Sequence, residues 1–217
     1  MSCKNSSFYQ RPTEAVAKDL VGKKLVRIIR NNKKQFRLAG IIVETEAYGY
    51  SGDDLASHAC VGPTGRNKVM FGNVGRAYVY FTYGNHFCLN VSARRSDVEA
   101  GAVLIRGIEP VEGIELMRQF RPVDNIFSLT SGPGKLTQAL NITSALNGTD
   151  MTKSESEIYI EFGKRPKRIV TTPRIGITRA MNKEWRFVDP LSPFVSRKFQ
   201  IKSSPSPSSL YYYDWRR

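Results

Sequence analysis

The sequence predicts an α+β domain, and three observations carry that prediction. Strand-length runs of alternating apolar and polar residues recur along the chain, while helical patterns are few and short. The two kinds of element come in irregular order, not in the strict alternation that βαβ units would give. The 217 residues, 41% of them apolar, are enough to bury one core, or two small ones at most.

Each element follows from local chemistry. RPTEAVAKDLVG reads as a short helix: Thr13 is placed to cap it, Ala15, Val16, Ala17 and Leu20 supply apolar positions, and Gly22 ends it. KKLVRIIR is a strand, NNKK a polar turn and QFRLAGIIVETEAY a second strand. GYSGDDLASHACVGPTGRNKVMFGN is a long Gly- and Asp-rich connection, of a length that in compact domains is usually functional or mobile. GRAYVYFTYGNHFCLNVSA reads as two strands joined by a tight YGN turn. AGAVLIRGIEP is a further strand, with Pro110 starting a helix through VEGIELMRQF. SGPGKLTQALNI is a helix begun at Ser131 and Pro133. RIVTTPRIGIT and WRFVDP read as late strands. The Ser/Pro-rich, then basic-aromatic end is expected to be a poorly ordered tail at 203–217, leaving 1–202 as the domain.

The net charge of +14 and pI near 9.9 point to a polyanionic partner, most often nucleic acid, against the plainer reading of a merely basic surface. Cys3, Cys60 and Cys88 are odd in number and far apart, and only His58 and His86 join them. That set does not make a structural zinc site, and it suits a reducing compartment. No apolar run approaches a membrane span, and MSCKNSSFYQRP lacks the apolar core of a secretion signal. A soluble intracellular protein is expected.

The strand VETEAY carries two carboxylates. Strict alternation would put Ile42, Glu44, Glu46 and Tyr48 on one face and Ile41, Val43, Thr45 and Ala47 on the core side. A carboxylate beside an aromatic ring can activate a water next to a flat ligand. The plainer alternative is a solvent-exposed face with both glutamates in surface ion pairs. Tyr83, at a Gly-Asn turn, is a second signal, because turns select small or polar residues and a ring on a rigid hairpin can wedge between stacked bases. Tyr78 and Phe81 read as sheet packing. SGPGKL falls short of a P-loop, since Leu129 and Leu136 stand where Gly and Ser/Thr are needed. A helix start with Lys135 beside it still suits one backbone phosphate. No G-x-S-x-G elbow and no Cys–His nucleophile signature occurs.

Taken in order, VETEAY, His58, GRNKVMF, AYVYFTYGNHFCLNVS, GAVLIRGIEP and SGPGKL resemble the alkyladenine (3-methyladenine, methylpurine) DNA glycosylase family from about Phe8 to about Lys198. GYSGDDLAS, between Tyr48 and His58, is one residue longer than the family's usual spacing. The resemblance implies a single mixed α+β domain on a curved, mainly antiparallel sheet, like the C-terminal domain of formyltransferases. It implies base excision repair on double-stranded DNA carrying damaged purines, by a monomer with no metal or redox cofactor and no membrane association. Glu46 would match the water-activating glutamate and Arg106 the arginine that holds the water with it. Tyr48 and Tyr80 would stack on the two faces of the everted base. His58 would contact the lesion edge and a flanking phosphate, Asn90 would crowd guanine's 2-amino group, and Leu104 would line the pocket. Tyr83 would fill the vacated stack, and Lys135 would touch the DNA backbone. The alternative of a different class is a non-catalytic nucleic-acid-binding module on the same scaffold, with Glu46 idle.

Overall fold

A computed structural model describes residues 6–31, 34–50, 54–82 and 86–198. The tail at 203–217 and the YGN turn with Tyr83 lie outside the described residues. Within them the chain forms helices α1 (Ser6–Tyr9), α2 (Thr13–Leu20), α3 (Lys68–Phe71), α4 (Ile114–Phe120) and α5 (Pro133–Ala139). The strands are β1 (Lys24–Asn31), β2 (Lys34–Tyr48), β3 (Ala77–Thr82), β4 (His86–Ser92), β5 (Ala102–Glu112), β6 (Ile158–Glu161), β7 (Val170–Thr172) and β8 (Arg186–Val188).

All strand pairs are antiparallel, in the order β3-β4-β5-β2-β1-β6. The long β2 splits the sheet: its first half pairs with β1, and Glu44–Glu46 pair with β8, which in turn holds β7. The sheet therefore curls, and the predicted α+β architecture with an antiparallel sheet is the one observed. Helix α2 buries Val16, Ala17 and Leu20, and α5 buries Leu136 and Ala139, in one core with Leu38, Ile42 and Ala47 of β2 and Val103, Ile105 and Ile108 of β5. The opposite face of the sheet is left for the site.

Two bulges decide which side chains reach that face. Ile42 pairs with Ile108 and Glu44 with Gly107, so Val43 has no partner. Thr45 then pairs with Ile105, so Arg106 has none either. Each extra residue reverses the alternation of its strand. Ile42 therefore belongs to the core with Ile108, while Thr45, two elements of the pattern later, also faces inward and donates to the Ala17 carbonyl at 2.8 Å. Unbroken alternation had grouped Ile42 with the glutamates, and the bulge at Val43 corrects that.

Other local readings are corrected by long-range contacts. Thr13 is the first residue of α2, after Pro12 as the cap position, and its hydroxyl donates to Ala93 O at 2.9 Å. Pro110 does not open a helix: β5 runs on to Glu112 beside β2, next to an unpaired Val111, the bulge setting in which a strand tolerates Pro. Gly113, at φ 74°, makes the left-handed turn into α4. RIVTTPRIGIT is a strand only over Val170–Thr172, and Pro173 releases the residues after it into a loop over the site. The long connection carries a 3-10 turn at His58–Val61 and α3.

Candidate active site

A cleft of about 420 Å³ opens on the face away from the helical core. It is within the size range of small-ligand sites. Cross-strand pairing places Tyr78, Asn90, Leu104, Glu46 and Arg186 in one row over β3, β4, β5, β2 and β8, so all five share a face. Two flanking rows lie on either side of it, one pairing Tyr80 with Cys88 and the other Ala102 with Tyr48. The walls are completed by Ala56, His58 and Met70 of the long connection, Pro133 and Gly134 at the start of α5, and Ile175–Ile177. Gly134 lets α5 press onto His86, since a Cβ there would lie 2.9 Å from the His86 side chain.

The floor is a charge cluster. Glu44 and Glu46 have no exposed surface, so the reading of both as surface ion pairs does not hold. Glu44 accepts from Arg186 Nε at 2.7 Å, Arg106 Nε at 3.2 Å, and the Ser196 hydroxyl and amide. Glu46 Oε2 accepts from the Tyr48 hydroxyl at 2.8 Å and from Arg106 Nη1 at 3.1 Å, and its Oε1 accepts from the Ile175 amide at 2.7 Å. Two carboxylates and two guanidiniums thus balance in charge and are hydrogen-bonded, the condition under which buried ions are tolerated. Burial opposes the Arg106 charge, but the Glu46 and Glu44 carboxylates outweigh it and hold the guanidinium above its ordinary range. Glu46 does not line the cleft itself; Tyr48 and Arg106, which touch it, do.

The walls are aromatic and neutral. Burial first, then the Glu46 carboxylate, raises the Tyr48 phenol well above its ordinary range. Burial also raises Tyr80, and it pushes Tyr78 up to about 12. The Cys88 thiol is raised by burial too, which keeps it protonated near neutral pH. His58 packs edge-on to Tyr80 with centroids 4.6 Å apart and shares a 2.9 Å hydrogen bond between Nδ1 and the Tyr78 hydroxyl. Burial, then the Arg66 charge, lowers its pKa. Asn90 is buried and donates to Tyr78 O at 3.0 Å, which fixes its amide.

The structure therefore brings Glu46, Arg106, Tyr48, His58, Tyr80, Asn90 and Leu104 together around one cleft. Lys135 stands two residues into α5, beside the rim residues Pro133 and Gly134. Tyr83 directly follows the last residue of β3 in sequence and lies outside the described residues.

Sequence reasoning missed the residues that support these. Arg174 is fully buried, donates twice to Asp54, at 2.6 and 2.9 Å, and lies 4.7 Å over the Tyr48 ring. Asp54 also accepts from Gly49 N at 2.9 Å, so one ion pair ties the end of β2 to the loop after β7. Arg66 covers the Tyr80 ring at 5.0 Å. A signal existed for the cations: two glutamates on one inward strand face require buried positive partners, and the PRIG and WRF stretches of the last third offer them.

Comparison with known proteins places the chain in a family. The family model described as methylpurine-DNA glycosylase (MPG) matches residues 7–193. A protein of Methanocella arvoryzae is 48% identical over 195 residues, covering 88% of this chain and 94% of its own. One from Prosthecochloris aestuarii is 46% identical over 202 residues, with 92% and 91% covered. One from Methanoculleus marisnigri is 45% identical over 196 residues, with 89% and 98% covered. All three carry, provisionally, the name 3-methyladenine DNA glycosylase. The class defined by fold, cleft and match is that of the DNA glycosylases. Within it, the chain belongs to the methylpurine-DNA glycosylase family.

Proposed function

We propose that this chain is a monofunctional DNA glycosylase of base excision repair. It everts an alkylated or deaminated purine nucleotide and hydrolyses its N-glycosidic bond, leaving an abasic site with no strand cleavage. The carrying observation is the state of Glu46. An ionised carboxylate offers about four lone-pair sites, and Glu46 uses three of them on Tyr48, Arg106 and Ile175. The remaining site on Oε1 would accept a hydrogen bond from an attacking water, and the fixed carboxylate would stabilise the oxocarbenium-like charge that builds on the sugar.

The walls suit the ligand. Tyr48 and Tyr80 would sandwich a purine, with stacking of about 1–3 kcal/mol per base. Neutral, electron-rich rings favour a cationic N3- or N7-alkylated base by a further ~0.5–2 kcal/mol. Neutral lesions such as hypoxanthine and ethenoadenine would rely on shape and on the edge contacts of His58 and Asn90. Leu104 would pack against the base. Tyr83 would fill the gap left in the duplex and offset part of the few kcal/mol of unstacking, and Lys135 would hold a phosphate. The +14 charge would supply salt-dependent affinity for duplex DNA. The protein would act as an intracellular monomer.

Glu46→Gln keeps the shape of the side chain and removes its charge. In single-turnover assays on duplexes carrying 3-methyladenine, 7-methylguanine, hypoxanthine or ethenoadenine, base release should fall by at least about 100-fold, within the range of a lost general base. Binding to lesion DNA should persist. Release at the parental rate would remove Glu46 from the mechanism.

A further inference from the structure

One buried ion pair grips Tyr48 on its ring and on both of its peptide neighbours. The Asp54 and Arg174 side chains have no exposed surface and meet in a fork, Nη2 to Oδ1 at 2.6 Å and Nη1 to Oδ2 at 2.9 Å. A two-point pair of this kind fixes orientation as well as distance. On one side of Tyr48, Arg174 Nη1 also donates to Ala47 O at 2.9 Å; on the other, Asp54 Oδ2 accepts from Gly49 N at 2.9 Å. The guanidinium lies over the Tyr48 ring, 4.7 Å from its centroid, and 5.4 Å from the centroid of the Trp185 ring. Tyr48 lines the cleft and Arg174 does not, so the guanidinium takes one face of the ring and leaves the other to the cleft. The next residue along, Ile175, donates its amide to Glu46 Oε1 at 2.7 Å.

We infer that Asp54 and Arg174 are positioning residues that hold the Tyr48 ring and the Glu46 carboxylate in one fixed relation at the cleft wall. The hydroxyl of Tyr48 cannot do this alone. It bonds to Glu46 Oε2 at 2.8 Å, but it lies on the axis about which a tyrosine ring turns, so that bond leaves the plane of the ring free. A group packed flat against one face sets the plane, and the planar guanidinium is such a group. The inference rests on the function proposed above: a flat base stacks only where the plane of the ring is set, and the carboxylate must stand in register with the base so held. The ion pair thus acts on the reaction from behind the ring.

The test uses Arg174→Lys and Asp54→Asn. Lysine keeps a charge beside Asp54 but has no planar fork. Asparagine keeps an acceptor for Gly49 N and loses the charge, and it reports where Arg174→Lys fails to fold. Ring-flip rates are measured by NMR on free protein carbon-labelled at tyrosine, with Tyr48 assigned by loss of its signals in Tyr48→Phe. The parent should show separate lines for the two sides of the Tyr48 ring, and the variants one averaged line. In single-turnover assays at saturating lesion duplex, base release by the folded variants should fall about 10- to 100-fold, the scale of a misplaced reacting group. Their affinity for undamaged duplex, which leaves the cleft empty, should stay parental. An averaged Tyr48 ring in the parent, parental flip rates or parental release in the folded variants, or an equal loss of release and of undamaged-duplex affinity would overturn the assignment. Absence of excision by the parent would remove the function proposed above, and the ring-flip rates, which need no DNA, would still decide this one.

Discussion

Glu44 and Glu46 share one guanidinium: Arg106 donates Nε to Glu44 Oε1 at 3.2 Å and Nη1 to Glu46 Oε2 at 3.1 Å. Arg106 reaches both because it is the unpaired residue of a bulge in β5, opposite the stretch of β2 that holds both acids. The two glutamates have different surroundings. Glu44 is saturated by Arg186, Arg106 and Ser196, whereas Glu46 touches Tyr48 and Arg106, both of which line the cleft. One acid is enclosed by its own partners, and the other adjoins the walls of the cleft.

Glu44→Ala should therefore act on stability. It leaves Arg106 and Arg186 without a shared buried counter-charge and takes the acceptor from Ser196. Loss of one partner of a buried ion cluster costs about 3–5 kcal/mol. The urea midpoint should drop by a matching amount with the slope unchanged.

Asp54 and Arg174 should be coupled. The pair is fully buried, and Arg174 also donates to Ala47 O at 2.9 Å and covers the Tyr48 ring. A double-mutant cycle with Asp54→Ala and Arg174→Ala should give a coupling of about 1–3 kcal/mol in unfolding free energy. Additive losses would mean the two side chains stabilise the fold independently.

Asn90→Ser should relax the exclusion of guanine. The Asn90 amide is pinned by its bond to Tyr78 O and cannot swing out of the cleft. A smaller side chain opens space at that wall. Free guanine released from undamaged duplex should rise above the parental background, and chromatography of the released bases reads it directly.

Acid should destabilise the protein through His58. Its folded pKa is lowered, by burial first and then by Arg66, so the unfolded chain takes up the proton first as pH falls. The stability tied to neutral His58 is complete above the ordinary imidazole pKa of about 6.5 and is lost progressively below it. Urea midpoints of parent and His58→Gln, compared at neutral pH and at pH 5, should show a shallower fall in the variant.

Much of this was legible in the chain itself. β1 to β5 were readable from their runs of β-branched and aromatic residues, because a strand's period is local. Glu44 and Glu46 stood out because carboxylates interrupt an apolar strand, and the family resemblance was carried by short blocks in order. The four-residue β6 and the partners that the cations Arg174, Arg66 and Arg186 would find were not readable. Short strands exist only through their partners, and Arg174 finds Asp54 120 residues away in sequence.

The sequence by itself determined the class of the fold, the strands β1 to β5 and the two acids set into an apolar strand. The tertiary structure alone decided that both acids are buried and that Glu46 adjoins the cleft through Tyr48 and Arg106. The physical reason is that a bulge is a property of a strand pair. Val43 and Arg106 are extra residues only in relation to their partner strands, and each reverses every side chain beyond it. No pattern within a single strand contains that information.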